Sequence, residues 1–164
     1  IASYSQQSQR YVSAVDMDYV TPPAIAKSEA ARARFEAFMD EATRAYRDIQ
    51  AILEEEGRGS KANEDARFVL PNAAETRIVV TMNARSLLHF FSLRCCMRAQ
   101  WEIRALAWSM LALCKEQLPA LFATAGPRCE SLGYCPETER FSCGRYPTRE
   151  QLQQEGSAES SDSS

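Results

Sequence analysis

Apolar residues recur at three- and four-residue steps between Thr21 and Gly57, and this spacing predicts one long amphipathic helix. Thr21 is its predicted cap, two prolines follow in the first turn, and Gly57 ends the pattern. The predicted apolar face consists of Phe35, Phe38, Met39, Ala42, Ala45, Tyr46, Ile49, Ile52 and Leu53. A face of this length predicts packing against other elements or against another subunit.

The pattern after Gly57 predicts further helices and one strand. A short helix is expected over residues 61–68, and the Ile, Val and Thr of residues 76–82 predict a strand. Asn83 is the predicted cap of the next helix, and a third helix over residues 99–118 is apolar nearly all round. We therefore expect that third helix to be largely buried.

Periodicity fades after Gly126, where Gly, Pro and Cys dominate. Residues 147–164 form a predicted disordered tail, because their Glu- and Ser-rich end cannot bury enough apolar surface. The 164-residue length predicts one domain over residues 1–146. No initiator Met or signal peptide precedes Ile1, so we expect that an upstream segment is missing.

Composition narrows the functional classes. With 19 basic and 22 acidic residues the net charge is -3, which argues against a nucleic-acid partner. The longest apolar stretch has ten residues, against the roughly 20 of a membrane-spanning helix, so no membrane partner is expected. Six cysteines without a secretory signal predict reduced thiols in the cytoplasm.

The polar run Ser3–Tyr11 is the first candidate for chemistry. The Ser8 hydroxyl and nearby backbone N–H groups could donate to a phosphate, and Arg10 could add a charge-assisted pair. A plain polar loop is the alternative reading of this run.

Arg94 is the second candidate. Its helical position places it on the same side as Leu87 and Phe91, where we expect it to face the core. A buried arginine needs an anionic partner, which is either a ligand or a carboxylate in a structural ion pair.

Three more positions have weaker signals. Arg85 and His89 follow Asn83 at the start and on the polar face of the predicted helix, where free N–H groups favour anions. His89 is the only histidine, and a surface or packing role is its alternative. Arg67 could equally form an exposed ion pair.

The cysteines give no metal prediction. Cys129, Cys135 and Cys143 are spaced by six and eight residues, which does not match the paired short loops of a structural zinc site. Cys95 and Cys96 are neighbours on a helix and are expected to be packing thiols.

Three blocks of the sequence carry a family resemblance. The run Ser3–Tyr11 resembles the second half of the signature segment of flavin-dependent thymidylate synthases, which ends in Ser-x-Arg-Tyr. The stretch Thr81–Arg94, continuing through Ala99–Arg104, is similar to the most characteristic region of that family. Ala66–Pro71 resembles the family's Ala-Arg-x-x-Leu-Pro. The resemblance implies an α+β fold of long helices packed against a mostly antiparallel sheet, of which the first part is missing.

The resemblance also implies roles for single residues. The dUMP site would be lined by Gln6, Gln7, Ser8, Gln9, Arg10, Arg67 and Arg94. FAD would be contacted by Gln6, Asn83, Ala84, Arg85 and His89. Arg94 would be catalytic, because a fixed guanidinium that stabilises the ionised uracil ring makes the pyrimidine electron-rich.

The implied reaction is the methylation of dUMP to dTMP, with methylenetetrahydrofolate as carbon donor, NADPH as reductant and FAD as cofactor. The implied assembly is a homotetramer with shared active sites. The chain departs from the family in lacking Arg-His-Arg before Ile1 and in carrying Gln6 where many members have a glutamate. Two rival interpretations are a catalytically incompetent, oligomerising or nucleotide-binding fragment, and a metal-binding interaction module built on Cys129, Cys135 and Cys143.

Overall fold

The structure is a computed structural model of the chain, and it describes residues 2–15 and 18–154. These residues form two compact units, one comprising Ser3–Val80 and the other comprising Ala2 and the residues from Thr81 onward. Several helices and a two-stranded antiparallel sheet make up the described elements, which confirms the predicted α+β class. The organisation as a single domain stays a prediction.

The sheet pairs β1 (Ala2–Gln6) with β2 (Ile78–Met82). The strand predicted over residues 76–82 is therefore confirmed. β1 corrects the polar-loop reading for the first part of the N-terminal run, whereas residues 7–11 lie in loop and turn. All five β1 residues are exposed, so no hydrophobic alternation marks the strand in the sequence. Pairing continues past β1, since the Gln7 N–H donates to the Arg77 carbonyl at 2.8 Å.

The long helix expected between Thr21 and Gly57 is two helices, α1 (Pro23–Ala26) and α2 (Glu29–Glu55). The break falls at Ser28, whose backbone is extended and whose hydroxyl accepts a hydrogen bond from the Ala31 N–H at 3.4 Å. Because this serine is a better cap than Thr21, α2 begins after it. Gly57 adopts a positive φ of 83° directly after α2 and ends it as predicted.

The core of the first unit lies between α2 and α3 (Ala62–Ala66). Its buried side chains are Met39, Ala42, Tyr46, Ala62 and Ala66. One 3₁₀ turn precedes α3 and another, Arg67–Val69, follows it. Two small alanines on α3 allow close approach to α2, and this packing fixes the start of the turn that carries Arg67.

The second unit contains α4 (Ala84–Arg94), α5 (Trp101–Gln117), α6 (Pro119–Phe122) and α7 (Arg128–Leu132). Its core is a cluster of Phe91, Cys95, Ala107, Leu111, Phe122 and Ala125.

The expectation that the third predicted helix is largely buried is wrong for this chain. On α5 only Ala107 and Leu111 are buried, while Leu106 and Leu113 are 51% and 62% exposed. α4 and α6 cover one side of α5. The remaining apolar side faces solvent in the chain as described.

The C-terminal segment is ordered further than expected. Thr148 is buried, and the Thr148 N–H donates to the Gln151 Oε1 atom at 2.8 Å while the Gln151 N–H donates to the Thr148 hydroxyl at 3.3 Å. This reciprocal pair is a capping box, and residues 149–154 are helical. The expectation of disorder is thus wrong for residues 147–154, and residues 155–164 lie outside the described part.

Within the described residues, the helices are all too short or too polar to cross a membrane.

Candidate functional site

A tight turn follows β1 and presents the predicted phosphate-binding residues. The Tyr11 and Val12 N–H groups both donate to the Ser8 carbonyl, at 3.2 and 3.0 Å. The Arg10 N–H donates to the Ser8 hydroxyl oxygen at 3.3 Å, so the side chain of Ser8 helps to shape the turn. A polar cavity of about 190 Å³ lies beside it, lined in part by Gln7, Ser8, Gln9, Ser13 and Thr76.

Gln6 and Gln7 connect this turn to the segment before β2. The Gln6 side-chain amide donates to the Thr76 hydroxyl at 3.4 Å, and that hydroxyl donates to the Gln7 carbonyl at 3.3 Å. Gln6 therefore stands at the end of β1 with an exposed neutral amide. This arrangement fixes the point where the strand enters the turn.

Glu64 brings Arg10 and Arg67 together. The Arg10 guanidinium donates to the Glu64 carboxylate at 3.0 Å, and the Arg67 Nε–H donates to the Glu64 backbone carbonyl at 3.2 Å. The hydrogen bond and the charge of Glu64 raise the pKa of Arg10 above its ordinary value. Two arginines thus contact the same residue beside the Ser8 turn, Arg10 at the Glu64 carboxylate and Arg67 at the Glu64 backbone carbonyl. Two neighbouring guanidinium groups suit a phosphate.

Glu64 was not among the residues singled out from the sequence. It lies three positions before Arg67 across α3 and the following turn, and this spacing was the available signal. Its pairing with Arg10, 54 positions earlier, depends on tertiary structure.

Tyr46 is a second residue that the sequence pattern assigned only to an apolar face. Its ring is fully buried, its hydroxyl accepts a hydrogen bond from the Ala14 N–H at 3.1 Å, and the same hydroxyl donates to the Asn63 side-chain oxygen at 3.4 Å. The next residue, Arg47, donates twice to the Val15 carbonyl, at 2.9 and 2.7 Å. α2 therefore holds the loop that follows Arg10. Tyr46 also links this loop to Asn63, the residue directly before Glu64.

The N-terminus of α4 presents the residues expected to contact FAD. The Asn83 side-chain oxygen accepts from the Ser86 N–H at 2.9 Å, as predicted for a cap. The first-turn N–H groups of Ala84 and Arg85 have no carbonyl partner within the helix. Arg85 and His89 are both exposed and lie one turn apart, on the same side of α4. This end of the helix is suited to an anionic group such as a phosphate.

Arg94 is exposed, which corrects the expectation that it is buried. The buried line of α4 passes through Phe91 and Cys95, and Arg94 lies roughly 60° of helical rotation to one side of Phe91. It is also the last residue of the helix. In the described part of the chain the Arg94 guanidinium makes no ion pair or hydrogen bond, so the expected structural ion pair is not found there.

Arg94 lines a cavity of about 350 Å³ in the second unit. Arg98 pairs with Glu137 and lies over the Phe141 ring at 4.7 Å from its centroid. Arg145 pairs with Glu130 at 2.7 Å on another part of the wall. The cavity therefore combines aromatic and thiol surface with arginines.

The six cysteines are free thiols, and five of them line this cavity: Cys95, Cys96, Cys129, Cys135 and Cys143. As the structure places residues 2–15 and 18–154, no three metal-binding side chains stand together closely enough to hold an ion. Cys95 packs in the core as expected for a packing thiol. Burial raises its pKa to about 11, and the charge of Glu130 adds to the increase.

Comparison with known proteins gives a consistent result. The sequence profile of the Thy1 family, described as thymidylate synthase complementing protein, matches residues 1–120. A flavin-dependent thymidylate synthase from Nitratidesulfovibrio vulgaris is 68% identical over 153 residues, covering 93% of this chain and 62% of the relative.

Two further relatives carry the same name. The protein from Geobacter sulfurreducens is 54% identical over 147 residues, covering 88% of this chain and 60% of the relative. The protein from Pyrococcus abyssi is 46% identical over 159 residues, covering 92% of this chain and 62% of the relative. The chain thus spans about three-fifths of the length of these curated relatives.

Proposed function

The chain belongs to the Thy1 family, whose relatives are named flavin-dependent thymidylate synthases, and on that premise we propose that the complete protein converts dUMP to dTMP. Methylenetetrahydrofolate is the proposed carbon donor. When bound, FAD that has been reduced by NADPH supplies the hydride for the reductive methylation. The observation that carries the proposal is the meeting of Arg10 and Arg67 at Glu64, beside the Ser8 turn.

These groups are the proposed binding site for the phosphate of dUMP. Two guanidinium groups and a hydroxyl can donate several charge-assisted hydrogen bonds to phosphate oxygens. Phosphate binding would release Arg10 from the Glu64 carboxylate, and the cost of this exchange is moderate because the ion pair is partly exposed to solvent. Gln6, Gln7 and Gln9 complete the proposed substrate contacts with neutral amides.

Arg94 is the proposed catalytic residue. A guanidinium placed at the uracil ring favours the ionised imide, so the pyrimidine becomes electron-rich without a protein nucleophile. The absence of a carboxylate partner within the described residues supports this role, because the charge is available to a ligand. Its place beside a cavity also supports the role, since a planar ring needs room next to the guanidinium.

FAD is the proposed cofactor, and the start of α4 fits it. The Ala84 and Arg85 N–H groups, which have no carbonyl partner within the helix, suit the cofactor's pyrophosphate, and exposed Arg85 adds a positive charge on the same helix. Asn83 keeps its side-chain NH₂ group for a ligand after its oxygen has capped the helix. His89 is proposed to bind one turn further along, together with a contact from Gln6.

A homotetramer with active sites shared between subunits is the proposed assembly. The exposed apolar side of α5 supports it, because Leu106 and Leu113 are well suited to burial against a second copy. A cytoplasmic location is proposed as well. The free state of the six cysteines supports it, since thiols stay reduced there.

Spectroscopy and isotope release test the proposal together. The complete protein should be yellow with the absorption spectrum of bound flavin, and it should release tritium from dUMP labelled at carbon 5 only when folate and NADPH are present. The 164-residue chain serves as the comparator, and flavin in the complete protein alone would support the view of this chain as an incompetent fragment. A colourless complete protein without tritium release would overturn the proposal.

A further inference from the structure

The cavity beside Arg94 brings together thiols that are far apart in the sequence. Cys96 follows the end of α4, Cys129 lies in α7, Cys135 pairs through a β-bridge with Thr148, and Cys143 precedes Gly144. Each comes from a different turn or short element, which explains why no pair with zinc-finger spacing marks them in the sequence.

Cys95 also lines the cavity, but it belongs to the hydrophobic core. It is 2% exposed and packs with Phe91 and Leu111. Electrostatic interactions also connect Cys129 with the three other remaining thiols. Burial raises the pKa of Cys129, the charges of Cys96, Cys135 and Cys143 raise it further, and Arg145 opposes the increase. Cys129 thus lies near the three other thiols.

We propose that Cys96, Cys129, Cys135 and Cys143 form a structural zinc site that fastens residues 126–148 to the end of α4. Four cysteine thiolates are a common tetrahedral ligand set for Zn²⁺ in a closed structural site. The inference goes beyond the proposed enzymatic function and does not depend on it.

The segment itself supports a metal site. Between Gly126 and Thr148 its regular structure is the five-residue helix α7 and the three-residue 3₁₀ turn Glu139–Phe141. Of its large apolar side chains, Leu132 and Phe141 are 40% and 49% exposed. An irregular segment that buries so little apolar surface is typically held by a cross-link or a metal ion.

The charge around the cavity also suits thiolates. A zinc ion with four thiolate ligands has a net charge of about -2. Arg128 lines the same cavity, and it has no carboxylate partner in the part of the chain that the structure describes. Positive charge beside an anionic metal centre is electrostatically favourable.

The four sulfurs must move together to bind the ion, because the described residues hold no three metal-binding side chains at coordinating separation. Rotation of a cysteine between staggered rotamers moves its sulfur without moving the backbone. Cys143 is exposed and next to Gly144, whose φ of 76° marks a turn, so this ligand has the most freedom to adjust. Binding energy from the metal would then contribute directly to the stability of the segment.

The test measures metal in the complete protein, purified without chelator and in the presence of a reductant. Elemental analysis should find about one zinc per chain. Cys143→Ser should reduce that content by about tenfold or more, although serine at an exposed position should leave the fold intact. Cys114→Ser is the matched control, because Cys114 lies outside the cavity, and it should keep the wild-type zinc content.

Cobalt substitution provides a second readout that does not depend on any variant. Co²⁺ exchanged into the site should give the intense visible bands of tetrahedral thiolate coordination, and these bands should weaken in Cys143→Ser. The proposal is overturned if protein from zinc-supplemented cells contains no zinc, if Cys143→Ser keeps its zinc, or if the four cysteines are joined in disulfides in freshly purified protein.

Discussion

The arginines that are proposed to bind ligands are held in opposite ways in the two units. In the first unit Arg10 and Arg67 both bind to Glu64, one through its carboxylate and the other through its backbone carbonyl. In the second unit Arg85 and Arg94 are exposed, and neither has an ion-pair partner in the described part of the chain. A paired guanidinium is fixed in position and must exchange its partner to bind a ligand, whereas an unpaired one is available but less restrained.

This difference suggests that the two sets of arginines have different functions. The paired arginines suit the recognition of a fixed group such as a phosphate, for which position matters most. An unpaired arginine suits a site where charge develops during reaction, because no resident carboxylate weakens its field. Four predictions for the complete protein test this contrast, from the largest expected effect to the smallest.

Arg94→Ala should lower kcat by about 10²-fold to 10³-fold, because it removes the proposed electrostatic stabilisation of the ionised uracil. The measurement is tritium release from labelled dUMP at saturating substrate, with circular dichroism to confirm folding. Arg94→Lys keeps the charge but not the planar fork, and it should recover only part of the rate. Wild-type kcat in Arg94→Ala would show that Arg94 has no catalytic role.

Arg10→Ala should raise KM for dUMP by about 10- to 100-fold with a smaller change in kcat, because charge-assisted hydrogen bonds to the phosphate are lost. Arg67→Ala should behave in the same way. Deoxyuridine, which lacks the phosphate, is the matched control ligand, and its weak binding should be the same in wild type and variants. An equal loss for both ligands would show that these arginines do not recognise phosphate.

Tyr46→Phe should lower the free energy of unfolding by about 1–2 kcal/mol, because it leaves the Ala14 N–H and the Asn63 side chain without a shared partner. KM for dUMP should rise by about fivefold, since the loop after Arg10 loses one of its anchors. Chemical denaturation and steady-state kinetics measure the two effects. Loss of stability without any change in KM would limit Tyr46 to a packing role.

Glu64→Gln should change dUMP binding the least, by up to about fivefold. The direction distinguishes two roles for the carboxylate. If Glu64 mainly competes with the phosphate for Arg10, the glutamine variant binds dUMP more tightly, which is the result we expect because the ion pair is exposed. Weaker binding in a calorimetric titration would instead show that Glu64 positions Arg10 for its ligand.

Local patterns predicted the helices and β2 but not their partners. The helix break at Ser28 was missed because the apolar periodicity continues on both sides of it. The capping hydroxyl accepts a hydrogen bond from a single N–H and leaves no mark on that periodicity. β1 was missed because both its faces are exposed, so no alternation distinguishes it from a loop. The burial of α5 was overestimated, because composition does not show whether an apolar surface is covered by the same chain or by another subunit.

The sequence likewise identified some residues of the candidate site and missed others. Ser8, Arg10, Arg67 and Arg94 were identified from the sequence, largely through the family resemblance, and their ligand contacts stay predictions. Glu64 and Tyr46 were missed, since their importance arises from partners 54 and 32 positions away. The thiol cavity was missed for the same reason, because its cysteines converge only in three dimensions.

The open apolar side of α5 has a consequence for how the protein behaves on dilution. If the proposed homotetramer dissociates, Leu106 and Leu113 become exposed to solvent, so association and folding are thermodynamically linked. The melting temperature should then increase with protein concentration. A newly synthesised subunit would have to assemble before its exposed leucines cause aggregation with other unfolded chains.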